Sequence, residues 1–161
     1  MSWCHGAPGI GMARLRAYEV LGVDWLLADA EAALGSTIAD LESRVTAPLS
    51  NLCLCHGVAG NVDLLLLAAR ILNRAPLVDT ARRLSALAWD ACDAAEVWPC
   101  GPKMATGIAA PFAGLMAGLA GLGYSRLRLL APDRIPSTLM PSPCVLASAV
   151  RTDVIAGVPT T

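Results

Sequence analysis

The sequence predicts an all-α protein, a partial α/α toroid built of helical hairpins, and two features predict that fold. A short glycine motif occurs three times along the 161 residues, beginning at His5, His56 and Ala117, with intervals of 51 and 61 residues. Each copy precedes or lies in an apolar run with helix-forming residues, at 10–21, 62–72 and 122–130. Between the runs, 24–45 and 77–95 carry charges interleaved with apolar positions at helical spacing. The chain therefore reads as alternating inner and outer helices.

The glycine motifs predict where the inner helices meet. Glycine permits tight turns and close backbone approach, so the N-termini of the inner helices can converge on one rim. Hairpins that repeat at such intervals bury their apolar faces by stacking on neighbours, and a complete ring needs more hairpins than this chain has. Proline, glycine and polar residues place linkers at 46–52, at 98–112 and after Pro132.

Composition excludes some classes of function. Twelve Lys and Arg residues balance 13 Asp and Glu residues, and no basic stripe occurs, which argues against nucleic-acid binding. Hydrophobic residues make up 55% of the chain and charged residues 16%, as expected of a chain that is deeply packed, membrane-bound or missing a partner. Residues 104–125 carry no charge and are long enough to span a bilayer. Pro111 and five glycines favour a loop followed by a shorter buried helix instead.

The N-terminus predicts a cytoplasmic location, and the cysteines are interpreted accordingly. Residues 1–5 show neither the basic start nor the apolar run of a secretory signal, so we expect the chain in the cytoplasm. Under reducing conditions its six cysteines are expected to be metal ligands, buried apolar residues or reactive thiols rather than a disulfide framework.

The chemistry is predicted to lie in a doubled Cys-His-Gly motif. Both histidines, His5 and His56, follow a cysteine and precede a glycine. If the two turns meet at the rim, Cys4, Cys55 and His56 form a site suited to Zn²⁺, with a fourth position open for a substrate. The alternative is that both cysteines are buried and the histidine is hydrogen-bonded within the fold.

Several segments resemble one protein family in the same order. They are SWCHGAPGIG at 2–11, LCHG at 54–57 followed by Gly60 and Asn61, WPCG at 98–101, GLMAGLAGLGY at 114–124, and IPSTL at 135–139. Together they are similar to the C-terminal cyclase region of class II lanthionine synthetases, the LanM type of lanthionine synthetase C-like proteins. Thr138 departs from that family's closing Pro-Ser-Val-Leu. The resemblance assigns 1–144 to the C-terminal part of a cyclase domain and leaves 145–161 as a tail.

The resemblance implies a function and a set of site residues. The family's cyclase holds zinc at the rim of a toroid through two cysteines and a histidine that match Cys4, Cys55 and His56. Zinc activates a peptide cysteine, which adds to dehydroalanine or dehydrobutyrine and forms the thioether of a lanthipeptide. An acid must then donate a proton, and His5 is a candidate because the family's upstream acid residues have no counterpart here.

Two hypotheses for the whole chain stay open at this point. The first is a zinc-dependent thioether-forming cyclase module, incomplete alone, that acts on a precursor peptide with Cys and dehydrated Ser or Thr. The second is a non-catalytic zinc-binding or partner-docking fragment of a split or truncated synthetase, whose partner would be a separately encoded upstream half. Two further residues are ambiguous: Cys53 is a packed cysteine or a spare ligand, and Asp63 is a solvated helix-start carboxylate or a residue that orients a zinc ligand.

Overall fold

The computed structural model describes residues 1–45, 50–101 and 113–140. Within these ranges the chain forms five α-helices and no strand, which confirms the all-α prediction. The helices are α1 (Ala7–Leu21), α2 (Asp24–Arg44), α3 (Val58–Ile71), α4 (Pro76–Ala94) and α5 (Leu119–Leu130). The predicted hairpin pattern is observed. The linker residues 46–49 and 102–112 and the tail from residue 141 lie outside the described ranges.

Each of the three inner helices begins within its glycine motif, and therefore earlier along the chain than the apolar run that predicted it. The first glycine of each copy, at 6, 57 and 118, is the residue that precedes α1, α3 and α5. The second glycine, at 9, 60 and 121, lies in the first helical turn beneath the preceding loop. A Cβ atom at Gly60 would lie 1.9 Å from the carbonyl oxygen of Leu54, and the other two copies show the same close approach. The second glycine is therefore required because backbone occupies the space of a side chain.

Helix α3 is the centre of the molecule. Every residue from Val58 to Ala69 is buried, because α3 packs against α1, α2, α4 and α5. Helix α2 packs against α1 and α4 against α3, each completing a hairpin. The inner helices lie side by side in the order α1, α3, α5, and this order brings their N-terminal turns to one end.

A buried ion pair fastens α5 and the segment after it to α3. The guanidinium of Arg128 donates to the carboxylate of Asp63 and to the carbonyls of Pro132 and Ile135, and the Ser137 hydroxyl donates to the same carboxylate. Both charged side chains are almost fully buried. Both sequence interpretations of Asp63 are therefore wrong: its carboxylate is neither solvated nor bonded to a predicted zinc ligand, because Arg128 and Ser137 occupy it.

The sequence also raised the possibility of a membrane-spanning helix within residues 104–125. None of the helices there is both long and apolar enough to cross a bilayer. Helix α5 takes up the C-terminal part of the uncharged run, and residues 104–112 lie outside the described ranges.

We expect Asp63→Ala to lower the free energy of unfolding by about 3–5 kcal/mol, because it leaves the Arg128 guanidinium buried without its counter-charge. Urea denaturation followed by circular dichroism measures the change. Asp79→Ala is the matched control, since it removes a surface carboxylate 3.8 Å from Arg82 and should change stability by at most ~1 kcal/mol. Equal effects of the two substitutions would contradict the role assigned to Asp63.

Candidate metal centre

The turns that precede α1 and α3 bring Cys4 and Cys55 together. The backbone amide of Cys4 donates to the carbonyl of Cys55 over 3.2 Å, which places the two turns side by side. The two side chains are also neighbours, since the Cys4 thiol affects the pKa of the Cys55 thiol. The prediction that residues some fifty positions apart meet at one rim holds for this pair.

The turn of the third glycine motif is hydrogen-bonded to the Cys55 turn in the same way. The amide of Cys55 donates over 2.8 Å to the carbonyl of Met116, which occupies the position in the third motif that Cys4 and Cys55 occupy in the first two. Each turn is thus hydrogen-bonded to the turn of the next inner helix. The sequence predicted the third motif but not the place of Met116 at the rim. The alignment of the three motifs could have predicted it, because Met116 stands where Cys4 and Cys55 stand in the other two.

The two cysteines differ in how far they are exposed to solvent. Cys4 is exposed and Cys55 is half-buried. Burial raises the pKa of the Cys55 thiol to about 11, and the adjacent Cys4 thiol adds to the rise because two neighbouring thiolates repel each other. A divalent cation between the two sulfurs would remove that repulsion, which is how a pair of cysteine thiols comes to be deprotonated at neutral pH in metal sites.

The predicted third ligand, His56, lies next to Cys55 in the same turn. It is half-buried, and its backbone amide donates to the sulfur of Cys53 over 3.4 Å. Within the described residues, no group of three or more His, Cys, Asp or Glu side chains is arranged to hold a metal ion. The structure thus joins Cys4 to Cys55, whereas the inclusion of His56 in one ligand set stays a prediction.

The alternative interpretation of the Cys-His-Gly motif makes a different prediction about Cys4, Cys55 and His56. It requires two buried cysteines and a histidine whose ring is hydrogen-bonded within the fold. Cys4 is exposed, and the ring of His56 has no hydrogen-bond partner among the residues that the structure describes. Two neighbouring thiols and an adjacent imidazole are a donor set that fits zinc in composition.

The remaining cysteines of the described ranges are packed. Cys53, Cys92 and Cys100 are fully buried in the hydrophobic core. Cys53 lies directly below the rim, and burial raises the pKa of its thiol. Its sulfur accepts the amide of His56, so it supports the turn as a packed residue. Cys144 lies outside the described residues.

Two segments support the rim from below. The loop of residues 98–101 packs against the Cys55 turn, since the amide of Leu52 donates to the Pro99 carbonyl over 2.8 Å. Asn51 holds the same turn, because its side chain accepts the amide of Cys53 over 2.9 Å. His5, the candidate acid, is exposed beside Cys4 and so faces solvent at the rim.

We expect Gly60→Ala to displace the turn that carries Cys55 and to lower the free energy of unfolding by about 1–3 kcal/mol, because the new methyl group overlaps the Leu54 carbonyl. Gly35→Ala in α2 is the matched control: open space surrounds Gly35, so the same substitution should stabilise the chain by ~0.5–1 kcal/mol. Denaturant titration measures both. The close approach is refuted if Gly60→Ala is as stable as Gly35→Ala.

A comparison with known protein families agrees with the fold. Residues 1–140 match the family model described as lanthionine synthetase C-like protein. Because the match covers most of the chain and includes the five helices and the rim, this chain belongs to the lanthionine synthetase C-like family.

Proposed function

We propose that the chain is a zinc-dependent cyclase module, the C-terminal part of a class II LanM-type synthetase, that adds peptide cysteine thiols to dehydroalanine or dehydrobutyrine in lanthipeptide biosynthesis. The observation that carries this proposal is the hydrogen bond between the Cys4 and Cys55 turns, which makes the two cysteines neighbours just before α1 and α3. Family membership supports a cyclase in general terms, and the doubled Cys-His-Gly motif supports zinc.

The zinc site would be held by Cys4, Cys55 and His56. When bound, zinc supplies a Lewis acid that lowers the pKa of a substrate thiol. His56 would reach the metal by turning its ring about the side-chain bonds, since within the described part of the chain no hydrogen bond holds that ring. Cys4 is exposed, so a peptide can approach the site from solvent.

The reaction then requires a nucleophile and a proton. The cysteine sulfur of the peptide forms a bond to the β-carbon of the dehydrated residue, the carbon–carbon double bond opens, and the α-carbon takes up a proton in place of the one that the thiol lost. His5 is the titratable side chain that follows Cys4 in the same turn, and we assign it the donation of that proton. A positioned acid contributes about 10²–10⁴-fold, so loss of His5 should slow the reaction by that order.

The second candidate function is a non-catalytic zinc-binding or docking fragment that combines with a separately encoded upstream half. It is favoured by the exposed apolar side chains on the outer sides of α1 and α5, for example Ile10 and Leu127. In either case we propose that the protein works in the cytoplasm, because neighbouring free thiols persist in a reducing compartment.

We expect the zinc-loaded chain to form thioethers on a dehydrated precursor peptide, and Cys4→Ala, Cys55→Ala or His56→Ala to abolish that activity, because each removes a ligand. Mass spectrometry after alkylation of the remaining peptide thiols measures the reaction. His5→Asn should slow the reaction while leaving zinc content unchanged.

Cys92→Ala is the control for loss of a cysteine from the chain, since Cys92 is fully buried in the core on α4 and is not one of the proposed ligands. It should retain activity in proportion to the folded fraction. A chain that binds zinc but stays inactive even when an upstream half is added would favour the second candidate function. Activity that survives Cys55→Ala would contradict the zinc-dependent mechanism altogether.

A further inference from the structure

Three residues form one row at the rim, and we call Cys4, Cys55 and Met116 the rim residues. Each lies three positions before its inner helix. The amide of Cys4 donates to the Cys55 carbonyl over 3.2 Å, and the amide of Cys55 donates to the Met116 carbonyl over 2.8 Å. The second rim residue is therefore paired with the third as the first is paired with the second.

The packing of side chains around the rim residues repeats together with these hydrogen bonds. A Cβ atom at Gly60 would lie 3.4 Å from the side chain of Trp3, which precedes the first rim residue. A Cβ atom at Gly121 would lie 3.2 Å from the side chain of Leu54, which precedes the second rim residue. The third turn thus sits beside the second as the second sits beside the first.

The row brings three sulfur atoms into neighbouring positions. Burial raises the pKa of the Cys55 thiol, and the neighbouring Cys4 thiol raises it further. The repeated packing places the start of the Met116 side chain beside Cys55 in the same way, and this side chain is half-buried. A methionine side chain is unbranched and has three rotatable bonds, so its thioether can turn toward the adjacent sulfur.

The third copy of the motif offers a donor that the first two copies lack. Zinc in proteins is bound by thiolate, imidazole and carboxylate, so the thioether of Met116 adds little to a zinc site. Cu(I) is a softer ion, and thiolate and thioether sulfur are the ligands that select it. Ala117 stands where the other two copies have a histidine, so the third copy supplies a thioether and no imidazole.

We propose that the rim also binds Cu(I), through the thiolates of Cys4 and Cys55 and the thioether of Met116. Binding releases the two thiol protons, and the cation offsets the repulsion between the two thiolates. The Cu(I) site shares two ligands with the proposed zinc site, so the two metals exclude each other. The inference rests on the two cysteines, and it depends neither on cyclase activity nor on His56.

The test compares the affinity of the chain for the two metals. Cu(I) is supplied without oxygen in competition with a chromogenic Cu(I) chelator, and zinc in competition with a chromogenic zinc chelator. Met116→Leu replaces the thioether by a hydrocarbon of similar volume. Met12→Leu is the matched control, because it makes the same chemical change at a side chain that is fully buried in the core.

We expect Met116→Leu to weaken Cu(I) binding by about tenfold or more, which is ~1.4 kcal/mol, and to leave the affinity for zinc unchanged. Met12→Leu should change neither affinity. His56→Ala should weaken zinc binding and leave the affinity for Cu(I) unchanged, because the imidazole is not a Cu(I) ligand here. X-ray absorption at the copper edge should show three sulfur neighbours in the wild type and two in Met116→Leu.

Equal Cu(I) affinities of Met116→Leu and the wild type would overturn the inference. An equal loss of affinity for both metals would also overturn it, since the substitution would then act through the fold. Cu(I) binding that is unchanged in Cys4→Ala would show that the ion binds elsewhere. A chain that binds no zinc, yet binds Cu(I) with three sulfur neighbours, would contradict the proposed function and support this inference.

Discussion

The close approach of the loop backbone to the first helical turn is the constraint on which the rest of this structure depends. At Gly9, Gly60 and Gly121 a carbonyl oxygen occupies the place where a Cβ atom would be. The loop can therefore fold back over the helix start, and the residue three positions before each inner helix is carried to the rim. Two of those residues are cysteines, and their turns meet because the helices that follow them, α1 and α3, are neighbours.

The inner helices that carry the rim are held in place by burial and by one ion pair. Helix α3 is buried along nearly its whole length, so it cannot shift without opening the core. Asp63 would be costly in this position if it were alone, but Arg128 and Ser137 satisfy its carboxylate and at the same time attach α5 to α3. The charge in the middle of the apolar helix thus contributes to the order of the inner helices, on which the shape of the rim depends.

The sequence predicted much of the fold and part of the site, and the differences have physical causes. Helical periodicity located all five helices because each buries an apolar face, but it placed the starts of the inner helices late, since glycine turns carry no apolar signal. The repeat correctly brought Cys4 to Cys55. It does not determine side-chain orientation, so the participation of His56 remains a prediction. Asp63 was misread because a partner 65 residues away leaves no local pattern, although an aspartate within a run of buried leucines indicates that a cation must be near.

We propose that Cys4, Cys55 and His56 bind one metal ion together, and replacement of zinc by cobalt tests this proposal. Cobalt(II) adopts the tetrahedral geometry of zinc sites, and its absorption reports how many thiolates bind it. We expect one cobalt per chain with a strong sulfur-to-metal charge-transfer band, which weakens in Cys4→Ala and in Cys55→Ala and persists in Cys92→Ala. In His56→Ala the band should persist while the affinity for cobalt falls. A helical chain that binds no cobalt, or a band unchanged by loss of Cys55, would show that these side chains do not form one metal site.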